Sequence, residues 1–517
     1  MDSHLKIENS IFCTPDPVKI DMIREHKYHC PLINRNVFLL ICVMGISLGI
    51  LLETIYRITP NEPINKINNT KTLKYRLYPD KFNDKRYDYL FRHLYAVLHR
   101  IGYERSSSGA QWDLLWAHGY PFYELRQNCT KLAPHQTINR YPGSGFITSK
   151  VRLATSKSKY IPKAFKLPKN KKDFLKYAER NKNALFLTKG TMHRGIQLKN
   201  ISELLLSDGK HFIQEYVQNP LLVDGHKFDI GVYVVITSLD PLRVYWYKGD
   251  VGFRYCPQKY YPFDPNNRDK YVVSDKYSPT WKIPGLQPYS MLSHGMKDSF
   301  ETYVRQKGKD TSGMWKDIEN AISEAIHMKI DFITNSTKRC GPEDHFFELM
   351  RFDLIVDDNL TVYLLEANMS PNLSSSYLKA NGILFEQLLY NLFSLTGISR
   401  KPILKNNYPN ERAAAKSMVS SNKHIAVFGE LCRLPCHNNC NDIEYCNLCQ
   451  QCLGKKLKDS LLKAHTEYIH RGDFRRLIPP PMTQGETVKG LDKLSKTNRL
   501  HYIWYQEKCN RDITWCT

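Results

Sequence analysis

The sequence predicts an α/β protein: one large mixed body between an apolar N-terminal run and a cysteine-rich C-terminal stretch. Three observations carry that reading. Runs of β-branched and aromatic residues pair up as strands, 232–237 with 242–247 and 349–356 with 361–366. Segments 315–330 and 384–396 space their apolar residues as packing helices do. The 517 residues allow roughly three domains or one multi-lobed unit.

Charge narrows the partners. Lys and Arg number 74 against 51 Asp and Glu, a net charge of +23. Such an excess favours nucleic acid, anionic lipid or acidic polypeptide tails. No helix-turn-helix, zinc-finger or RNP pattern appears, so nucleic acid is set aside.

In chain order, residues 1–36 form a polar, mixed-charge segment. Residues 37–52, VFLLICVMGISLGILL, carry no charge, and the flanking residues extend the run to 37–56. This is short for a span of roughly 17–25 residues, but it has no polar face to suit a buried core helix. About 36 residues precede it and no clear cleavage site follows, which disfavours a signal peptide. We read it as a signal-anchor transmembrane helix. Lys19, Arg24, Lys27 and Arg35 lie before it, against chiefly Arg57 and Lys66 after it. The positive-inside rule then places residues 1–36 in the cytosol and the body in a lumen or outside the cell, a type II topology. Residues 57–86, with Pro60, Pro63 and many Lys and Asn, read as a linker, 87–400 as the globular domain and 401–517 as a basic, cysteine-rich tail.

The body contains one stretch rich in possible chemistry, residues 346–375, FFELMRFDLIVDDNLTVYLLEANMSPNLSS. Asp353 interrupts an apolar strand, and Glu366 and Asn368 end the next one. A hairpin brings two carboxylates and an amide together, hard oxygen donors that suit magnesium; an ordinary surface hairpin fits the spacing equally well. Residues 184–198, ALFLTKGTMHRGIQL, set Gly190 and Gly195 among Lys189, His193 and Arg194. That composition suits a loop over a triphosphate, or simply a basic hairpin. Lys227 and Asp229 read alone as a surface ion pair.

Five motifs in order resemble the tubulin–tyrosine ligase-like family over residues 110–400, and its polyglutamylases in particular. They are HQTINRYPGSGFITSK from His135, the loop just described, FIQEY from Phe212, HKFDIG from His226, and FD…LLEAN-x-SP-x-L from Phe352. The resemblance implies an ATP-grasp fold and an ATP- and magnesium-dependent ligase that adds glutamate to a protein carboxylate. It also implies roles. Asp353, Glu366 and Asn368 would hold magnesium; Lys189, with Arg194 in the same loop, would meet phosphate. Gln214, Glu215, Tyr216 and Val217 would hold adenine, while Lys227, Asp229 and Arg254 would position nucleotide and substrate, Lys227 and Arg254 as the catalytic pair. The implied acceptor is an acidic protein; the tubulin tail, usual in the family, conflicts with a lumenal body.

Several positions depart from the family pattern. Arg140 stands for a usual His, Gly190 for Pro, and Ser274 and Asp275 near an expected Thr and Asn. Gly231 stands where family members carry an Arg that reaches the transferring phosphate and the incoming substrate. ATP binding is therefore expected to outlive catalysis, and Gly231→Arg to raise any ligase activity provided the strand keeps its register and no neighbouring side chain has filled the place. The alternative to a ligase is therefore a membrane-anchored pseudoenzyme that binds ATP or an acidic partner.

The tail crowds Cys432, Cys436, Cys440, Cys446, Cys449 and Cys452 together, with Cys509 and Cys516 at the end. Zinc would use Cys446, Cys449, Cys452 and His437, but clean paired knuckles are missing. Eight is an even count, and Asn68, Asn128, Asn200, Asn335 and Asn359 open N-x-S/T triplets. Disulfides in a glycosylated, extracytosolic body are the expectation, their connectivity open.

Overall fold

Fourteen consecutive residues, His226–Leu239, form the longest strand among the described residues, and all but the first are buried. Their sequence explains this: within HKFDIGVYVVITSL, residues Ile230 to Ile236 are apolar on both faces of the pleat. Ile230, Val232, Val234 and Ile236 enter one core and Tyr233 and Val235 another. Helix Ser312–His327 packs into the first core, and helices Asp88–Arg100 and Asn381–Leu395 into the second. The layering is thus helix, sheet, helix.

This computed structural model describes residues 72–106, 111–190, 196–204, 211–274, 276–376, 378–401, 421–433, 436, 440, 443–487 and 490–517. Strands β1 (Leu73–Tyr78), β2 (Tyr103–Arg105), β3 (Leu114–Ala117) and β4 (Thr137–Ile138) make a parallel sheet in the order β2-β1-β3-β4. Next come β5 (Ala164–Lys166), β6 (Phe186–Gly190), β7 (Gln197–Lys199) and β8 (His211–Glu215), antiparallel in the order β5-β8-β6-β7. The third sheet holds β9 (Leu222–Val223), β10 (the long strand His226–Leu239), β11 (Leu242–Tyr247), β12 (Gly252–Tyr255), β13 (Glu348–Val356), β14 (Val362–Asn368) and β15 (Phe474–Ile478). Its path is β14-β13-β10-β11-β15, with β9 and β12 also paired to β10.

Two boundaries differ from the sequence reading. The body begins at β1, inside the expected linker, because LKYRLY alternates and buries Leu73, Tyr75 and Leu77. The C-terminal stretch is no appendage either. β15 extends the central sheet at the β11 edge, and residues 70–517 form one compact unit. Helix Lys455–Ile469 brings Glu467 against the same edge. There the carboxylate accepts from Arg243 Nε at 2.8 Å, Arg243 Nη2 at 3.2 Å, Thr237 Oγ1 at 3.1 Å and Tyr245 OH at 3.0 Å. Breaking one side of a buried pair of this kind costs about 3–5 kcal/mol, so the C-terminal segment is locked to the sheet rather than resting on it.

The eight C-terminal cysteines pair as 432–449, 436–446, 440–452 and 509–516, as expected of disulfides rather than a zinc site. A fifth bridge, Cys129–Cys340, joins residues 211 apart in sequence, and no local spacing announces it. Residues 37–56 lie outside the described residues; among those described, no helix is long and apolar enough to cross a membrane.

Candidate functional site

Strand registry builds the site. Gly231 lies opposite both Gly252 and Asp353, Asp229 opposite Arg254, Asp353 opposite Glu366, and Arg351 opposite Asn368. Period-two alternation therefore puts Asp229, Gly231, Gly252, Arg254, Arg351, Asp353, Glu366 and Asn368 on one sheet face. The β13–β14 register shifts just after Asp353, the kind of bulge that re-aims side chains beside functional sites.

Ion pairing on this face is dense. Arg254 donates from Nε to Asp229 Oδ1 at 2.8 Å and from Nη2 to Asp229 Oδ2 at 2.6 Å. The same Nη2 reaches Asp353 Oδ2 at 2.9 Å. Arg351 grips Asp353 through two parallel bonds of 2.7 and 2.9 Å. Asn368 Nδ2 donates to Asp353 Oδ2 at 3.0 Å and to Glu366 Oε1 at 3.1 Å. Lys150 Nζ lies 2.9 Å from Glu366 Oε2. Burial pushes the Asp229 carboxyl upward, with Arg254 pulling the other way. Burial works against the charged form of Arg351, but Asp353 outweighs it and the guanidinium stays firmly charged.

Lys227 stands one alternation earlier on β10. Its Nζ donates to the Tyr271 carbonyl at 2.7 Å and lies 5.4 Å from the centre of the Tyr216 ring. Burial lowers its pKa. Tyr216 is buried with Tyr260 and Tyr271, and its hydroxyl donates to Tyr260 at 3.1 Å. Gln214, at the end of β8, is buried and donates to the Pro162 carbonyl at 3.2 Å. Glu215 accepts from Tyr177 at 2.6 Å. Val217 follows, half-buried. Lys189 lies on β6 opposite Phe212, and only its backbone is described; Arg194 falls outside the described residues.

The structure thus brings Lys227, Asp229, Arg254, Asp353, Glu366 and Asn368 together on one sheet. Lys150 and Arg351 are additions that the sequence did not single out. Each was in view, Lys150 closing the HQTINRYPGSGFITSK stretch and Arg351 two residues before Asp353. The signal for Arg351 was its same-face spacing from Asp353. The vacancy expected at Gly231 is also filled. A Cβ built there would stand 2.9 Å from Arg351 Cδ and 3.2 Å from its Nε.

A model of the tubulin-tyrosine ligase family matches residues 127–407, more than half of the chain. The chain belongs to this family. A Caenorhabditis elegans protein described as a probable tubulin polyglutamylase, ttll-15, is 39% identical over 438 residues, covering 82% of this chain and 83% of that protein. The tubulin polyglutamylase TTLL7 of Xenopus tropicalis is 26% identical over 68% of this chain. The human tubulin monoglutamylase TTLL4 is 26% identical over 74%. The matched regions span 42% and 34% of those two longer proteins. The matched family region includes the Lys227, Arg254 and Asp353 face but not β1 or β15.

Proposed function

We propose that this family member is an ATP-dependent ligase that joins the amine of glutamate to a carboxylate of an acidic protein. The observation carrying this reading is the single sheet that carries Lys227, Arg254 and Arg351 together with Asp229, Asp353 and Glu366, the two arginines paired to Asp229 and Asp353. Four cations, counting Lys150, outweigh the three acids, so the face attracts a polyphosphate or an acidic chain. In the first step an acceptor carboxylate oxygen bonds to the γ-phosphorus of ATP, the bond to the bridging oxygen breaks, and ADP leaves. In the second the amine attacks the acyl phosphate, the amide forms, and inorganic phosphate and a proton depart. Lys227 and Arg254 hold and neutralise the phosphates, and Gln214 to Val217 frame the base. Tubulin tails and other acidic peptides are the acceptors this reading admits.

The fit to magnesium rests on Glu366, whose carboxylate Lys150 and Asn368 now pair, and on the Asn368 amide oxygen, together on one half-buried strand end. Magnesium commonly takes one or two protein carboxylates together with phosphates and water. Asp353, the third oxygen donor, already holds two guanidiniums. When bound, the ion would neutralise charge developing on the phosphates. Glu366→Gln should weaken Mg-ATP binding at least tenfold by calorimetry, with the thermal midpoint retained. The direct test gives the purified chain ATP, magnesium, labelled glutamate, and tubulin-tail or other acidic peptides. Label in a peptide, lost in Glu366→Gln, is the expected result. ATP binding with no label in any peptide would favour the binding-only alternative, and unchanged Mg-ATP affinity in the variant would remove Glu366 from the site.

We also propose a single-pass type II topology, with residues 37–56 as the anchor and the body in an oxidising lumen or outside the cell. Five disulfides support this. So does the exposure of Asn128, Asn200, Asn335 and Asn359, the four expected sequon residues among those described. In intact microsomes the body should resist added protease, and glycosidase should shift its mobility. Digestion without any shift would reverse the orientation and make cytosolic tubulin accessible.

A further inference from the structure

Arg351 projects from β13 across Gly231, into the space a side chain at 231 would take. With Arg254 it lines a cavity that the facing glycine pair Gly231 and Gly252, Tyr277 and Asn381 also line. Each guanidinium spends Nε and Nη2 on the carboxylates below. Among the described residues, neither Nη1 has a hydrogen-bond partner, and neither is a buried orphan. Charge neutralisation of Asp353 alone does not explain the arrangement. Arg254 and Asn368 already serve that carboxylate, yet two neighbouring glycines keep the space beside Arg351 open. At Gly252 an added Cβ meets only the Gly231 carbonyl, at 3.7 Å, so the crowding is specific to Gly231 and Arg351. The two like charges also disfavour one another: Arg351 opposes the charge on Arg254.

We propose that Arg254 and Arg351 clamp an oxyanion in this cavity, and that position 231 is glycine because any side chain there would evict Arg351. This rests on the ligase reading, which supplies two such oxyanions of shared chemistry, the phosphoryl group in transfer and a carboxylate of the incoming amino acid. Guanidinium pairs suit either, since the planar fork matches carboxylate and phosphate geometry. Gly231 then marks a cation delivered from the neighbouring strand, and catalysis need not be weakened by the missing side chain. Adding an arginine at 231 alone would force two side chains into the space of one.

The test is calorimetry on the full chain with ATP, with glutamate, and with glutamate after saturation by a non-hydrolysable ATP analogue. Arg351→Met should weaken one of these anions at least thirtyfold. Loss confined to ATP assigns the phosphoryl group; loss confined to glutamate assigns the carboxylate. Gly231→Ala leaves every charge in place and should reproduce the defect by displacing Arg351. The double variant should then be no worse than either single one, a coupling that independent structural damage does not produce. If Arg351→Met fails to fold, Gly231→Ala alone decides. Wild-type affinities for every ligand in Arg351→Met, or in Gly231→Ala, overturn the clamp. A wild-type chain that binds neither ATP nor glutamate overturns the ligase reading instead.

Discussion

Replacing Cys129 and Cys340 together by serine should lower the unfolding free energy by about 5 kcal/mol, the largest stability change expected of any pair in the body. The bridge closes a loop of 211 residues. In the chain-entropy model, the stabilisation from cross-linking the unfolded chain grows with the logarithm of loop length, reaching about 5 kcal/mol for a loop of this size. Both cysteines are buried, so the native state also loses packing. By contrast, the 509–516 bridge spans only seven residues, and its loss should cost markedly less. Guanidinium denaturation of the two serine pairs, followed by tryptophan fluorescence, gives the comparison. Equal midpoints would show that the unfolded chain keeps the 129–340 region together without the bond.

Lys227→Met should lower ATP-dependent turnover by a factor on the order of 10²–10³ while leaving the fold as stable as before or more so. The two halves of that expectation share one physical cause. Lys227 is 5% exposed, and its ammonium is served by the Tyr271 carbonyl and the Tyr216 ring. Among the described residues, no carboxylate lies within salt-bridge distance. Burial lowers its pKa, so the protein holds this charge at a cost to its own stability. An arriving phosphate would relieve that cost, and methionine would remove it along with the phosphate contact. Chemical denaturation and ATP calorimetry on one preparation check both halves. A variant that unfolds more easily and still binds ATP would make Lys227 a structural lysine.

Within the site, legibility followed sequence distance. Asp353, Glu366 and Asn368 fall on adjacent strands of one hairpin, and two-residue periodicity is enough to place them on one face. Lys227, Asp229 and Arg254 were found through motif order, because nothing local says that β10 runs beside β13. Arg351 is not legible in the sequence although it sits two residues from Asp353. A lone arginine on an apolar strand has no meaning until its diagonal neighbour across the sheet is known to be glycine: Gly231 pairs with Asp353, two residues from Arg351, and that fact belongs to the register between β10 and β13. Gly231, read in isolation, suggested a lost cation; read against its neighbour, it makes room for one.

The sequence by itself determined the α/β class, the strand pair 232–237 and 242–247, the carboxylate hairpin and the disulfide character of the C-terminal cysteines. Each follows from periodicity or composition within a few tens of residues, where local sterics and side-chain chemistry suffice. Tertiary structure alone decided that LKYRLY is a strand of the body, that Phe474–Ile478 extends the central sheet, and that Cys129 meets Cys340. It also decided that Glu467 is held by Arg243 and that Arg351 lies across Gly231. These are pairings between residues far apart in sequence or on facing strands. Their energies come from burying partners together, and a partner chosen by packing leaves no trace in the residues on either side of it.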